Sequence, residues 1–397
     1  MSFQKPFAVY AGVLMKRIYL DYAATTPVDP RAIEAMKPYF SKVFGNASSL
    51  YRFGQEAKRA LEESRYKIAE VINAKDSEII FTSSGTESDN LAIKGIAFAN
   101  KDKGKHIIAS TIEHDAVLEP SQWLEKQGFE ITYLPVDKYG IVDIQKLENS
   151  IRKDTILVSI MHANNEIGTV ESMEEIGKIC RKHDVHFHTD AVQTFGKIPI
   201  DVNKMNVDLL SASSHKIYGP KGVGMLFVRE GVKIEPLLHG GGHESGLRSS
   251  TENVAGIVGF ATAAEIAKKE MKKESARQIK LRDYLIRNVL KIDKSHLNGH
   301  PVKRLPNNTN FWFDFIEGES LVTHLDFYGI AASTGSACSS KSLEPSHVLI
   351  AIGLKHEQAH GSLRLTLGKY TTKADIDYVL DILPKVVNTL REISPLR

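Results

Sequence analysis

The chain alternates between short segments typical of buried strands and longer segments typical of helices through its first two thirds. Helical patterns such as 87–100 and 173–182 separate most of the apolar runs. This alternation predicts a largely parallel sheet covered by helices on both faces. Ligands bind such sheets at the carboxyl ends of the strands, so polar motifs that follow strands mark the candidate site. The predicted strands are 78–82, 106–110, 129–134, 155–160, 185–188, 208–211 and 224–228.

The pattern changes after about Gly259. A long, charged helix is predicted over 260–290, and an aromatic strand over 309–315. Thr372 and Asp375 have the spacing of a capping box, and we expect Pro384 to kink or interrupt the helix that follows them. The fold class predicted is therefore α/β, with a smaller α/β domain at the C-terminal end.

Composition excludes several classes of function. The 397 residues are 42% hydrophobic and 25% charged, which is typical of a globular protein. The formal net charge of +3 comes without long blocks of one sign, so nucleic acid and anionic membrane are not expected as direct partners. Residues 1–16 are interpreted as an N-terminal extension, with Met15 as an alternative start. No apolar run reaches the roughly 18 residues that a membrane span needs.

The two cysteines, Cys180 and Cys338, exclude a disulfide framework and a cysteine-rich metal site. They favour a reduced, cytoplasmic setting. Cys180 continues a helical apolar face with Ile176 and Ile179, so we expect it in the core. Cys338 lies between Gly and Ser residues, which predicts a mobile loop with a reachable thiol. An incidental exposed thiol is the alternative.

Lys216 is the residue best suited to anchor a cofactor. It follows the apolar segment 207–210 and lies between Ser213 and His215 on one side and a run of turn formers on the other. A lysine amine condenses with an aldehyde to a Schiff base, and short donors beside it suit a phosphate. The grouping indicates pyridoxal phosphate, and a surface lysine in a loop is the alternative.

A second candidate phosphate contact follows the strand at 78–82. Gly85 and Thr86 open a predicted helix, where exposed N–H groups and a hydroxyl form a seat for an anion. A capped helix with no ligand explains the same pattern, and capped turns of this kind are abundant.

Asp190 and Gln193 follow the strand at 185–188. A pyridinium nitrogen needs a carboxylate to keep its proton, and an amide three residues later is placed to bond the ring's phenolic oxygen. His186 and His188 also fit a pair of metal ligands on one strand face, but no third candidate ligand lies at a spacing typical of metal sites.

Two further polar residues follow strands. His114 is a candidate to stack on the cofactor ring and to move protons near neutral pH. Asn165 is a candidate to hold a substrate carboxylate or the edge of the cofactor. A structural or solvated role is the alternative for such a histidine.

Taken together, these stretches resemble the cysteine desulfurases, which are fold-type I pyridoxal-phosphate enzymes of the class V aminotransferase kind that supply sulfur for iron–sulfur clusters and tRNA thiolation. The resemblance runs from about Tyr19 to Leu396 and is closest to the housekeeping branch, with its long cysteine-bearing loop, here 334–345. The motifs that carry it, in family order, are Asn164-Asn-Glu-Ile-Gly168, Thr189-Asp-Ala-x-Gln193, Ser214-His-Lys216, His239-Gly-Gly-Gly-His243 and Gly335-Ser-Ala-Cys338.

The resemblance implies a fold-type I architecture with a large pyridoxal-phosphate-binding domain, 28–262, and a small domain formed by 17–27 with 263–397. It implies a Schiff base on Lys216, and contacts of Asp190 and Gln193 with the ring, on which His114 stacks. The phosphate contacts that it implies are Gly85, Thr86, Ser213, His215 and, from the other subunit of a homodimer, Thr251.

The implied substrate is L-cysteine, with its carboxylate bound by Asn165 and Arg364. Its sulfur passes to Cys338 as a persulfide and then to an iron–sulfur scaffold protein, and His114 handles protons on sulfur. The resemblance also allows Cys338 to ligate a transient 2Fe-2S cluster shared with that scaffold. A selenocysteine lyase, another fold-type I enzyme, or a sulfur- or cluster-carrying scaffold are the competing functions.

Two positions depart from the family pattern. Ser84 replaces a glycine in the turn before Gly85, where we expect it to tighten or tilt the phosphate seat. Ala47 replaces a proline, which we expect to loosen a loop near the substrate. Neither change removes a catalytic group.

Overall fold

The computed structural model describes residues 17–334 and 344–395, together with the strand backbone of 8–10 and 13–15. Three short 3-10 turns, at Asp76–Glu78, Ser214–Lys216 and Glu244–Gly246, connect its longer elements. In chain order, these elements are β1 (Ala8–Tyr10), β2 (Val13–Met15), β3 (Ile18–Tyr19), α1 (Pro30–Met36), α2 (Pro38–Ser41), α3 (Arg52–Ile72), β4 (Ile79–Thr82), α4 (Gly85–Ala99), β5 (His106–Ser110), α5 (Asp115–Glu125), β6 (Glu130–Leu134), α6 (Ile144–Ser150), β7 (Thr155–Ser159), α7 (Met173–Lys182), β8 (His186–Asp190), β9 (Leu209–Ser213), β10 (Gly224–Val228), α8 (Val254–Val289), β11 (Ser295–Leu297), β12 (Asn308–Phe313), α9 (Gly318–Phe327), β13 (Ile330–Ala331), α10 (His347–Ala351), α11 (His356–His360), β14 (Ser362–Thr366) and α12 (Lys373–Ile393).

The central sheet has seven strands in the order β4-β10-β9-β8-β7-β5-β6. Strands β5 to β9 pair in parallel, and β10 is antiparallel to both of its neighbours, β4 and β9. The α/β class with a mostly parallel sheet is confirmed. Strands β5, β7, β9 and β10 are buried along their whole length. Small and apolar side chains therefore predominate in them, and apolar and polar residues do not alternate.

A second, smaller unit surrounds the antiparallel sheet β11-β12-β14 and the parallel pair β13-β3. Helix α8 runs between the two units: Phe260 packs in the core of the large sheet, and Leu285 packs in the core of the small one. Ile18 and Leu20 also lie in the small core. On these two cores we propose the domain boundaries given above, with 17–27 assigned to the small domain.

Two expectations about single residues have clear outcomes. Cys180 is 1% exposed and lies in the large core, as predicted. The capping box at Thr372 and Asp375 is present. Of the two effects expected of Pro384, a kink or an interruption, the interruption is wrong, because α12 continues through it, and the kink stays a prediction. Proline removes one backbone donor, and the buried face formed by Leu383 and Val387 holds the helix together despite that loss.

The topology places the polar motifs at one edge of the sheet. Since β10 is antiparallel to both β4 and β9, strand β4 runs in the same direction as the parallel strands. The carboxyl ends of β4, β5, β7, β8 and β9 therefore lie at the same edge, and the motifs at 83–86, 111–114, 161–168, 190–193 and 214–216 follow them directly. No helix within 17–334 or 344–395 combines the length and apolarity needed to cross a membrane.

Candidate active site

Lys216 ends the 3-10 turn that follows β9, and its side chain reaches the N-terminal segment of the chain. Its Nζ donates to the carbonyls of Ala23 and Ala24 at 2.6 and 2.7 Å. The turn is fixed from the same segment, because the N–H and the hydroxyl of Thr26 both donate to the carbonyl of His215. Residues almost 200 positions apart thus form one wall of the site.

Asp190 and Gln193 lie beside this lysine. The Val192 N–H donates to Asp190 Oδ1 at 2.8 Å, which orients the carboxylate at the end of β8. Burial raises the pKa of Asp190, and the positive charges of His114 and Lys216 oppose that rise. Gln193 Nε2 donates to the Ala23 carbonyl at 3.0 Å, the same oxygen that accepts from Lys216. An amine, an amide and a carboxylate therefore converge on one small space.

The predicted phosphate side contains two features that fit an anion. Ser213 is 3% exposed, and its Oγ has no hydrogen-bond partner among the described residues. Gly85 begins α4, and a Cβ on it would come within 2.6 Å of Val192 and 3.6 Å of Ser213, so the helix start, the Asp190 turn and the serine are in contact. An unpartnered buried hydroxyl beside a helix N-terminus is a suitable seat for phosphate oxygens.

His215 and Ser84 complete that side. His215 Nδ1 lies 3.1 Å from the Thr25 hydroxyl, and burial with nearby lysine charges lowers its pKa to about 4, so the ring is neutral at pH 7. Ser84 caps α4, because its side chain accepts from the Glu87 N–H at 3.1 Å. The family departure at Ser84 thus adds a helix cap directly before Gly85, and Thr86 is exposed at the first turn.

His114 lies at the N-terminal cap of α5. Its Nδ1 accepts from the Ala116 N–H at 3.0 Å. An acceptor nitrogen carries no proton, so the neutral ring carries its proton on Nε2. The cap therefore selects the tautomer of the neutral ring, whereas the protonated ring would lower the pKa of Asp190 through its charge.

Arg364 on β14 faces the same space from the small unit. Its Nη2 donates to Asp21 Oδ1 at 2.9 Å and its Nη1 to the Asn165 carbonyl at 3.1 Å. The side chain is 3% exposed, and Nε has no partner among the described residues. The backbone of Asn165 is further held by Asn308. A buried guanidinium with donors left over is the group that best matches a carboxylate.

Behind Asp190 lies a buried polar layer that the sequence did not reveal. Asp89 and Glu113 are each no more than 1% exposed, and His188 Nε2 is 3.5 Å from Asp89 Oδ1. Burial raises the pKa of Glu113 to about 8 and that of Asp89 well above its usual range, with the Asp190 charge adding to both shifts. With a pKa of about 8, Glu113 keeps its proton near neutral pH, and burial shifts the pKa of Asp89 in the same direction.

His186 and His188 do not form the metal pair considered above. His188 lies between the hydroxyls of Ser159 and Ser211 at 2.8 and 3.1 Å, while His186 is beside Asp208. In the described part of the chain, no group of three or more His, Cys, Asp or Glu side chains is arranged to hold a metal ion.

Cys338 and its neighbours 335–343 lie outside the described residues. The ends of this loop that are described lie at the site: Ser333 and Arg364 exchange backbone hydrogen bonds of 2.7 and 3.3 Å, and Ser346 donates to Glu166. Thr251 is exposed on its own chain. The roles given to Cys338 and Thr251 stay predictions.

The assembled residues fit pyridoxal phosphate. The donor set contains an amine for its aldehyde, a carboxylate for its ring nitrogen and an amide for its phenolic oxygen. The unpartnered Ser213 hydroxyl, at the edge of the Gly85 helix start, is matched to its phosphate. The sequence missed the carbonyls of Ala23 and Ala24, the Asp21 contact with Arg364, and Lys197, whose Nζ lies 3.2 Å from Gln193 Oε1.

Comparison with known proteins agrees with this geometry. The family described as aminotransferase class V matches residues 18–379. A relative from Dictyoglomus turgidum, named cysteine desulfurase IscS, is 60% identical over 96% of this chain and 97% of its own. One of the same name from Methanosarcina thermophila is 58% identical over 96% of this chain and 94% of its own. A solved structure titled NifS-like protein superposes with a TM-score of 0.89 at 41% identity, covering 94% of this chain and all of that one. The chain therefore belongs to the class V aminotransferase family and, within it, to the cysteine desulfurases.

Proposed function

We propose that this site removes sulfur from L-cysteine and leaves L-alanine, as a pyridoxal-phosphate-dependent cysteine desulfurase. One observation carries the assignment: Lys216 Nζ and Gln193 Nε2 meet on the Ala23 carbonyl at 2.6 and 3.0 Å. An amine suited to an aldehyde and an amide suited to a phenolic oxygen thus lie together near Asp190, which supports the proposal.

The residues that hold the cofactor divide by chemistry. Lys216 binds the aldehyde, Asp190 bonds the ring nitrogen, and Gln193 bonds the phenolic oxygen. When bound, pyridoxal phosphate supplies an electron-withdrawing ring that lowers the cost of removing a proton from the substrate Cα. The Asp190 carboxylate supports that property, because a carboxylate beside the ring nitrogen keeps that nitrogen protonated. The proposed phosphate contacts are Gly85, Thr86, Ser213 and His215.

The substrate carboxylate binds Arg364, with Asn165 at its side. Arg364 is already oriented by Asp21 and the Asn165 carbonyl, so little side-chain freedom is lost when the carboxylate arrives. The carboxylate contact turns the substrate Cα toward the wall that carries Lys216. The Lys216 amine then accepts the Cα proton and later returns a proton to the product.

Sulfur passes from the substrate thiol into a persulfide, and the electron pair of the broken C–S bond stays on the substrate carbon, which is reduced as the sulfur is oxidised. The Cys338 thiolate attacks the substrate sulfur, so the S–S bond forms as the C–S bond breaks, and the product carbon receives a proton. L-cysteine and one Cys338 thiol thus become L-alanine and one Cys338 persulfide, without an added oxidant. His114, with its proton on Nε2, is the group proposed to handle protons on sulfur.

A homodimer is the proposed assembly. The segment 40–53 exposes a cluster of large apolar side chains, and the rings of Phe44 and Phe53 lie 5.6 Å apart. Exposed apolar clusters of this kind mark interaction sites, and a second copy would bring its Thr251 to the phosphate side. The other members of the cluster are Phe40, Leu50 and Tyr51.

An iron–sulfur scaffold protein is the proposed acceptor of the persulfide sulfur. The support is the similarity to the cysteine desulfurases named IscS from Dictyoglomus turgidum and Methanosarcina thermophila, together with the need of a persulfide on Cys338 for an acceptor. A transient 2Fe-2S cluster ligated by Cys338 and the cytoplasmic location stay predictions.

The test measures L-alanine and sulfide from L-cysteine with purified protein supplied with pyridoxal phosphate and a thiol reductant. Lys216→Ala is expected to abolish both the visible absorbance of the bound cofactor and turnover. Cys338→Ser is expected to keep the absorbance and lose sulfide release, whereas the matched Cys180→Ser keeps both if it folds. Full turnover by Cys338→Ser, or a persulfide on Cys180 by mass spectrometry, contradicts the assignment.

A further inference from the structure

The proposed phosphate side contains an acid, Glu87, in the first turn of α4. It comes directly after Gly85 and Thr86, two of the proposed phosphate contacts. The start of a helix favours negative charge, so Glu87 and a phosphate compete for the same positive end of α4. The phosphate contacts proposed within this chain do not offset that acid, because His215 is neutral at pH 7 and the others are a glycine and two hydroxyl residues.

Arg248 offsets the charge of Glu87. Its Nε donates to Glu87 Oε1 at 2.7 Å and its Nη2 to Oε2 at 3.2 Å, so the guanidinium meets the carboxylate with two bonds. Burial opposes ionisation of Glu87, but the bonds from Arg248 and Ser83 outweigh it and lower the pKa of the carboxyl. Both side chains are 18% exposed, which limits the screening of their charges by solvent. The pair is therefore ionised on both sides and neutral in sum.

Glu87 also has a role in folding the turn before Gly85. The Ser83 N–H donates to Glu87 Oε2 at 2.8 Å, and the Ser83 hydroxyl donates to the same oxygen. In the opposite direction, the Ser84 side chain accepts from the Glu87 N–H at 3.1 Å. Reciprocal bonds of this kind fix the first turn of a helix. They account for an acid beside a phosphate seat, and they leave its charge to be cancelled from elsewhere.

The segment that carries Arg248 is held against the large sheet. Just before it, Glu244 and Ser245 have φ of +49° and +57°, a left-handed backbone that residues other than glycine seldom adopt. Glu244 accepts from the Phe81 N–H of β4 at 2.7 Å and from the two Nη atoms of Arg65 at 2.7 and 2.8 Å. Arg248 is thus brought to α4 by an anchored turn, and its position does not depend on Glu87 alone.

We propose that Arg248 is a positioning residue that holds the Glu87 carboxylate and cancels its charge, so that the start of α4 can accept the negatively charged phosphate of the cofactor. Without Arg248, an unpaired carboxylate would repel the phosphate from within the same helical turn. The proposal rests on the proposed function, because Gly85 and Thr86 are phosphate contacts only if this site binds pyridoxal phosphate.

The experiment compares two ligands that differ only in the phosphate. Pyridoxal phosphate and pyridoxal share the ring and the aldehyde, so the ratio of their dissociation constants reports the phosphate seat. Cofactor-free protein is titrated with each ligand at constant pH and ionic strength, and binding is read from the visible absorbance. Arg248→Met removes the charge and keeps much of the stem, so it is expected to lower the preference for pyridoxal phosphate about tenfold.

Two further variants separate charge from packing. Glu87→Gln leaves Arg248 without an opposing charge and is expected to keep or increase the preference for pyridoxal phosphate. Glu87→Gln combined with Arg248→Met removes both charges and is expected to recover the preference of the unsubstituted protein to within about twofold. If Arg248 only held its segment in place, its loss would weaken both ligands alike, and removing Glu87 as well would bring no recovery.

The results that overturn the proposal follow from these signs. They are an unchanged preference in Arg248→Met and an equally low preference in the double variant. Arg248→Lys keeps the charge and is expected to keep most of the preference; a loss as large as that in Arg248→Met also overturns the proposal. If circular dichroism finds Arg248→Met unfolded, Arg248→Gln replaces it with the same expectation.

Arg152→Met is the control. Arg152 forms a comparable pair with Asp154, at 3.0 and 2.9 Å, but this pair precedes β7 at the edge of the sheet opposite the site. It is expected to leave the preference unchanged. Equal affinity of the unsubstituted protein for the two ligands would remove the phosphate seat, and the role of Arg248 with it.

The readout does not use turnover, so the two proposals fail separately. A protein that shows the expected preferences but does not desulfurate cysteine contradicts the proposed function and supports the role of Arg248. An active enzyme whose preference for pyridoxal phosphate does not respond to Arg248→Met does the reverse.

Discussion

Arg364→Lys tests the proposed substrate contact, because it keeps the positive charge and changes only the number and arrangement of the N–H donors. The arginine bonds Asp21 through Nη2 and the Asn165 carbonyl through Nη1, and keeps further N–H groups for a ligand. Lysine has one nitrogen, which cannot serve both neighbours and a carboxylate in the same planar arrangement. The variant is therefore expected to keep the fold and the cofactor while losing one charge-assisted hydrogen bond to the substrate.

The size of the effect follows from that one bond. A hydrogen bond to a charged group contributes about 1.5–3 kcal/mol, so kcat/KM for L-cysteine is expected to fall about 10- to 150-fold. The assay is initial-rate release of L-alanine, with the visible absorbance and thermal unfolding measured on the same preparation. Arg391→Lys on α12, whose Nε bonds the Asp314 carbonyl, is the matched control and is expected to leave kcat/KM unchanged.

Two ligands distinguish loss of the carboxylate contact from a general disturbance of the site. L-alanine and ethylamine share an amine, but ethylamine lacks the carboxylate. Arg364→Lys is expected to weaken the spectral response to L-alanine and to leave that to ethylamine unaltered. Equal weakening of both ligands, or an unchanged kcat/KM for L-cysteine, refutes the assignment of Arg364.

Three further predictions follow from described contacts. The folded-state pKa of Glu113, about 8, lies above its unfolded value near 4.5, so the stability that it contributes is fully present below pH 4.5 and is lost as pH rises toward 8. Relative to the unsubstituted protein, Glu113→Gln is thus expected to gain stability over that range, by at most about 5 kcal/mol in urea unfolding; a constant difference contradicts it. Phe44→Ser with Phe53→Ser is expected to weaken a dimer in analytical ultracentrifugation, whereas Phe327→Ser, equally exposed elsewhere, leaves it intact; identical masses for all three proteins would count against that interface. Ser84→Ala removes the cap that accepts from Glu87 N–H and is expected to lower the free energy of unfolding by about 1 kcal/mol, and Ser84→Gly by a few tenths; the reverse order would exclude capping as the cause.

The sequence predicted the parts of this site that follow strands. Strands such as β5 and β7 are buried on both faces, so their continuous apolar runs stand out, and His114 and Asn165 come directly after them. Parallel topology then brings those residues to one edge. The prediction therefore needed only the order of strands and the residue types beside them.

The rest of the site depends on contacts that have no local signature. The carbonyls of Ala23 and Ala24 accept from Lys216, but a backbone carbonyl looks the same in every residue. Asp89 and Glu113 stand in helix and turn patterns of the sequence, and their burial beside Asp190 depends on the packing of β5 and β8 with α4. Lys197 was overlooked for the same reason, since four residues of spacing in a turn do not indicate a direction.

The joining of the N-terminal segment to β14 sets an order of assembly. Thr366 donates its N–H to the Leu20 carbonyl at 2.7 Å and accepts from the Ala23 N–H through its hydroxyl at 2.9 Å, across about 345 residues of chain. During synthesis, the large sheet can be completed long before residues 362–366 leave the ribosome, and contacts this distant in sequence form late. Until then, the Ala23 and Ala24 carbonyls that bind Lys216 are not fixed in place by β14. Newly made chains are therefore expected to acquire the cofactor only after their last strand has been added.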